Sequence, residues 1–167
     1  MARSSSGSGV RYERLSTPWD PSLSLFSFAG AWAPAAASLA VGWGAWEGER
    51  LSGALLGERA GTAAMLHGPV VVTPPDSPPE TAFEVAGHLV AQALEQSEAD
   101  GIETVYTRPQ GLDRIWVRSG FIPIPEAELP KGLRGRPGIG LFGWRGGTAL
   151  WSAAGRGPVR RRSVPSR

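Results

Sequence analysis

The stretch Ala63-Ala64-Met65-Leu66-His67-Gly68-Pro69-Val70-Val71-Val72 is the most informative part of this chain, together with the residues after it. After a short Pro-rich turn comes a single long helical pattern, then Ile102-Glu103-Thr104-Val105-Tyr106-Thr107, a second strand. A strand, a helix of that length and a strand again is the signature of parallel pairing through a crossover. Within the first strand, Gly68-Pro69 reads as a bulge: glycine permits unusual dihedrals and proline withholds a ladder donor. The helix opens at Ser77-Pro78-Pro79-Glu80, which has the form of a capping box with Ser77 as N-cap. Phe83, Ala86, Val90, Ala93 and Leu94 then recur at helical spacing, and Asp100-Gly101 ends the run.

Upstream, Val10–Leu15 alternates apolar and polar residues and predicts a half-buried first strand. Pro21–Ala37 is apolar and Ala-rich but broken by Gly30 and Pro34, giving one or two short helices. Leu39–Trp46, Leu51–Glu58 and Thr62–Val72, separated by turn residues, form an antiparallel meander of three strands. Downstream, Leu112–Ser119 is a second, shorter helix stopped by Gly120, and Phe121–Ile124 begins another strand. A Pro/Gly/basic loop over 125–138 leads to a last strand at Ile139–Trp144, paired with Thr148–Trp151. The fold class is therefore α/β (α+β): one domain over residues 10–152, with a mixed, mostly antiparallel sheet flanked by helices. Residues 1–9 are Ser/Gly-rich and read as a disordered leader. Residues 153–167 carry five arginines and no acid, a basic tail expected to be disordered and able to meet an anionic partner.

The totals set bounds. At 167 residues the chain can bury one real core. It has no cysteine, which removes disulfides and thiolate chemistry. His67 and His88 cannot make a zinc site together without carboxylate help. A net charge of +2 gives no global field toward nucleic acid. No apolar run approaches the roughly 18 residues of a membrane span, and no secretory signal opens the chain, so a cytoplasmic location is expected. The tryptophans, with Trp43 and Trp46 on opposite faces of one strand, read as core rather than as a base-stacking surface.

This order of elements resembles the GNAT acyltransferase family. Three segments carry the likeness: Ala64–Val72, the long helix closing at Asp100-Gly101-Ile102 before Val105-Tyr106-Thr107, and Leu112-x-x-Ile115-Trp116-x-x-x-Gly120-Phe121. Together they cover roughly residues 10–145. The resemblance implies acetyl-CoA as cosubstrate, its pantetheine arm bonded to the backbone of the bulged strand at Val70, Val71 and Val72. The family's donor-phosphate loop should fall near Thr81–Ala86, and only Ala86 fits it. Glu84 stands at a glycine position, and no Arg or Gln precedes it. Pro78 and Pro79 remove N–H donors from the helix start, and Glu80 places negative charge where phosphate would sit. Trp116 stands where the family often has a proton-donating tyrosine, and an indole N–H cannot serve as that acid.

His67 reads either as a general base beside the amine site or as a histidine hydrogen-bonded at a strand edge. Glu58 is a second candidate base, against a solvated turn carboxylate. Tyr106 and Arg108 lie where such folds splay open. Tyr106 could reach a donor carbonyl or thiolate and Arg108 a phosphate, against edge packing and a surface charge. His88 reads as a solvated helix residue. Three functions are consistent with this: acyl transfer from acyl-CoA to an amine, a catalytically inactive domain that binds a protein partner, or a FemABX-like aminoacyl transferase.

Overall fold

The computed structural model describes residues 9–109, 111–136 and 149–153. Residues 1–8 of the expected 1–9 leader, the strand at Ile139–Trp144 and residues 154–167 of the expected 153–167 tail lie outside the described residues, while Ala153 closes the last strand. The elements run β1 (Arg11–Leu15), α1 (Asp20–Phe28), β2 (Val41–Glu47), β3 (Arg50–Ala60), β4 (Ala63–Val71), α2 (Pro79–Ala99), β5 (Thr104–Arg108), α3 (Asp113–Arg118), β6 (Ile122–Ile124) and β7 (Ala149–Ala153). Short 3₁₀ turns occupy Ala36–Ser38, Glu126–Glu128 and Lys131–Leu133.

The seven described strands form one sheet in the order β1-β2-β3-β4-β5-β7-β6. Of these, only β4 and β5 pair in parallel; every other neighbouring pair is antiparallel. The meander and crossover read from the sequence are both present.

Because side chains alternate across a strand, each face has its own cover. On one face Trp43, Leu55, Leu66 and Val105 pack against Val85, Leu89, Val90 and Ala93 of α2. Trp43 also donates its indole N–H to Gln96 at 2.7 Å, fixing the helix against the sheet. The buried stripe of α2 differs from the expected one. Val85 and Leu89 face the core, and Phe83 is 36% exposed. On the opposite face, Phe26 of α1 packs with Ala54, Leu56 and Val70. Met65 meets Ile124, Leu129 and Leu133 from the segment after α3.

The expected cap on α2 does not form. Pro78, with φ −60° and ψ 145°, is the N-cap, and among the described residues no side chain bonds to the helix start. Proline disfavours helical backbone in the residue before it, so Pro79 keeps Pro78 extended and Pro78 does the same to Ser77. The helix cannot begin before Pro79, one residue too late for Ser77 to reach its free donors.

The bulge at Gly68-Pro69 is present. Leu56 faces His67 and Ala54 faces Val70, so Leu55 opposes two residues of β4. Gly68 has φ +106°, and a Cβ there would lie 3.0 Å from the Val70 nitrogen and 3.1 Å from the Ala54 oxygen. Backbone atoms on both sides cannot yield. Gly68→Ala should therefore cost about 2–3 kcal/mol in denaturant unfolding. Gly61→Ala, also at positive φ but with nothing within 4 Å, should cost clearly less. Equal losses would mean the close approach at Gly68 is not what matters.

Candidate functional site

β4 and β5 run together only from Ala63/Thr104 to His67/Arg108. Beyond that point β5 has ended while β4 continues through Gly68–Val71, held on its other side by β3. The sheet thus opens at His67. Val70 is buried with Phe26, Ala54 and Leu56, whereas Val71 and Val72 are half-buried. The Val72 N–H donates to Ser52 O at 2.8 Å.

The candidate side chains gather on the face opposite α2, just where the strands part. The register sets Glu58, Met65 and Tyr106 side by side across β3, β4 and β5, and Leu56, His67 and Arg108 in the next row. Glu58 is diagonal to His67, and His67 Nε2 lies 2.8 Å from Glu58 Oε2. Both are buried, His67 completely. Arg136 closes the arrangement: its Nε donates to Glu58 Oε2 at 2.9 Å and its Nη2 to Oε1 at 2.7 Å. Burial alone would raise the Glu58 carboxyl, but hydrogen bonds from His67 and Arg136 outweigh it and hold the group at about 2. The same bond to Glu58 raises the Arg136 guanidinium against a smaller opposing effect of burial. With Glu58 ionised, imidazole Nε2 carries a hydrogen toward it, and in the neutral ring Nδ1 is then the accepting nitrogen. Nδ1 is buried with no hydrogen-bond partner among the described residues. His67 and Trp32 meet edge to face, with 5.2 Å between ring centroids.

Glu58 is therefore not a solvated turn carboxylate. β3 extends to Ala60, two residues past the expected strand end, and the turn falls at Gly61-Thr62. Arg108 is not a surface charge either. It is buried and paired with Glu126, and its guanidinium is lowered by burial first and by the nearby Arg136 second. Tyr106 is half-buried on the same face as Glu58 and next to Met65. Its phenol is raised by burial and then by Glu128, so it stays protonated at neutral pH. Ala86 packs in the core against the sheet and does not reach the helix start. Trp116 is likewise core, edge-on to Phe121 at 4.8 Å. His88 is exposed and stacks on Tyr12 at 5.0 Å.

Sequence reasoning misses Arg136, Glu126 and Trp32. One signal for Arg136 is present in the chain. Glu58 closes the run Ala54-Leu55-Leu56-Gly57, and a carboxylate carried inward by such a strand needs a cation.

At the start of α2 a groove of about 540 Å³ runs between that helix and α3. Glu80, Glu84, Arg114 and Arg118 line it beside Phe83. Pro78 and Pro79 contribute no N–H, and the Thr81 N–H donates to Pro78 O at 3.0 Å. Two acids against two guanidiniums leave no net field to draw in a pyrophosphate. No helix among the described residues is long and apolar enough to cross a membrane.

No protein-family model and no curated protein matches the chain. Solved structures do. A GNAT-family acetyltransferase from Staphylococcus aureus superposes with a TM-score of 0.62 at 9% identity, covering 87% of this chain and 99% of that one. An acetyltransferase from Streptococcus agalactiae gives 0.58 at 14% identity, covering 87% and 98%. N-acetylglutamate synthase from Neisseria gonorrhoeae, complexed with coenzyme A and N-acetyl-glutamate, gives 0.60 at 12% identity. There the match covers 89% of this chain but 36% of the longer protein. At such identities the likeness is one of fold, and the fold is that of the GNAT acetyltransferases.

Proposed function

We propose that this chain, which has the GNAT fold, is an acyl-CoA-dependent N-acyltransferase whose donor is held by its pantetheine arm rather than by its phosphates. One observation carries the reading. The sheet opens at His67, and a buried Glu58–His67 dyad stands at the opening, its Nδ1 without a partner among the described residues.

The fit to acetyl-CoA is uneven along the molecule. Among the described residues the β4 edge from Gly68 to Val71 has no strand partner on the β5 side, which suits a ligand that bonds to backbone. The α2 start offers no N–H from Pro78 or Pro79, and its two acids offset Arg114 and Arg118, so it suits the pyrophosphate poorly. Acetyl-CoA, when bound, supplies the acyl group as a thioester. The chain's residues do the remaining work. Glu58 accepts the Nε2 hydrogen of His67 and so fixes the tautomer in which Nδ1 can accept. Nδ1 takes the proton from the acceptor nitrogen as that nitrogen attacks. Tyr106, held protonated, is the donor on the leaving side, a role for which Trp116 is unavailable in the core.

Calorimetric titration tests this directly. Acetyl-CoA and acetyl-pantetheine should bind with similar affinity, because the phosphates add little. Replacing Glu80 and Glu84 with glycine should tighten acetyl-CoA binding about 3- to 30-fold and leave acetyl-pantetheine unchanged, since terminal-dipole interactions amount to roughly 0.3–1 kcal/mol each. Acetyl-CoA binding far more tightly than acetyl-pantetheine would overturn the assignment.

A second reading, a GNAT-fold subunit that binds a protein partner without catalysis, draws on one fact. His67 is wholly buried, and Arg136 covers the carboxylate beside it. Absence of heat with both donors would favour that reading.

A further inference from the structure

We infer that the Glu58 carboxylate is a guanidinium seat, filled in cis by Arg136 and open in exchange to a guanidinium-bearing ligand. It rests on the acyltransferase reading only in taking that ligand to be the acceptor.

The geometry defines what can sit there. Glu58 presents both oxygens to one planar group: Arg136 Nε donates to Oε2 and Nη2 to Oε1. Oε2 is already shared with His67 Nε2. Filling both remaining directions at once takes two parallel N–H groups in a rigid fork, which a guanidinium has and an ammonium lacks. The His67 ring, which meets Trp32 edge to face, stands next to the fork.

Electrostatics then restricts what can replace Arg136. The Glu58 side chain is 5% exposed, and a buried carboxylate without its cation is strongly disfavoured. Replacement of Arg136 by another cation keeps Glu58 paired, so a cationic acceptor is favoured over a neutral one at this seat.

The segment carrying Arg136 is suited to such an exchange. Leu133 is buried beside Met65 and anchors it. Past that anchor, Arg134 and Gly135 are exposed and the Arg136 side chain is 25% exposed. Arg134 donates to Leu129 O and Ala127 O, the Gly135 N–H donates to Glu126, and Arg136 itself donates to Gly132 O and Arg134 O. These bonds stay within the loop, so among the described contacts the fork onto Glu58 is the direct tie of residues 134–136 to a strand, with Gly135 held indirectly through Glu126 to Arg108 of β5.

The test uses the full chain and two variants, Arg136→Ala and Arg136→Gln, the second in case the first does not fold. Thermal midpoints are recorded with methylguanidinium and, as a control, methylammonium. Methylguanidinium should raise the midpoint of either variant, methylammonium should not, and adding Glu58→Gln should abolish the rise. No rise, an equal rise with methylammonium, or a rise that survives Glu58→Gln would overturn the seat. In the unaltered protein, the Arg136 Nε–H resonance should move on titration with agmatine or with a short peptide ending in arginine. Response to agmatine alone identifies a small-molecule source, and response to the peptide alone identifies a polypeptide one. No movement with either would overturn exchange. Acetyl-CoA titration, followed at the Val70 and Val71 amides, reads the donor site separately, so loss of the seat and loss of the acyltransferase reading are distinguishable.

Discussion

Replacing Glu58 with alanine should lower folding stability by about 3 kcal/mol near pH 7, and that loss should shrink in acid. The carboxylate serves two partners at once. Without it, His67 Nε2 is left buried and unpaired, and Arg136 loses its hold on β3. Arg136 is a quarter exposed and can return to water, which places the cost at the low end for a broken buried pair. The pH dependence comes from the direction of the shift. The Glu58 carboxyl is lowered from 4.5 to about 2 in the folded protein. A group depressed on folding contributes fully above its unfolded value and loses that contribution as pH falls toward the folded one. The interval is worth roughly 3 kcal/mol. Denaturant unfolding of the parent and Glu58→Ala should show their difference wide above about pH 5 and mostly gone near pH 2. A difference independent of pH would mean that His67 and Arg136 do not hold Glu58 ionised.

The second large effect is on rate. His67→Ala should reduce acyl transfer by about 10²–10⁴-fold, the usual contribution of a positioned base, while leaving acetyl-CoA affinity unchanged. The affinity measurement makes the experiment interpretable. On the proposed reading the donor is held by the backbone of β4 beyond His67, so a folded variant should still bind it. Glu58→Gln should fall between parent and His67→Ala, because the glutamine still orients the ring but carries no negative charge to face it as it takes the proton. A His67→Ala variant as fast as the parent would assign the imidazole to structure alone.

Local pattern makes much of the fold legible in the sequence. The meander comes from period two, and α2 from its apolar repeat and its Asp100-Gly101 stop. Gly68-Pro69 announces the bulge because glycine and proline restrict the backbone in opposite ways at adjacent positions. The misreadings have equally local causes. Ser77 looks like a cap because its side chain and the spacing to Glu80 fit, but consecutive prolines fix the helix start at Pro79. Phe83 looks like core because it is large and apolar, yet it lies on the groove side of α2.

The site is only half legible. His67 and Tyr106 stand out as chemistry-bearing residues on strands. Glu58 resembles a turn residue because Arg59 and Gly61 come after it, although its burial comes from β4 and the loop above. Arg136 lies 78 residues from Glu58 in a segment without periodicity, and composition there says only loop. A contact of that kind is written in tertiary packing, not in any local pattern.

If the dyad at the sheet opening drives acyl transfer from a pantetheine-held donor, CoA-thiol release from acetyl-CoA in the presence of agmatine is its direct readout. The assay is run on the parent chain and on His67→Ala side by side. The parent should show amine-dependent release and an acetylated amine, with both nearly lost in the variant. Binding of acetyl-CoA without release from the parent, with agmatine and with a guanidinium-free diamine alike, or equal release from both proteins, would refute the role given to His67.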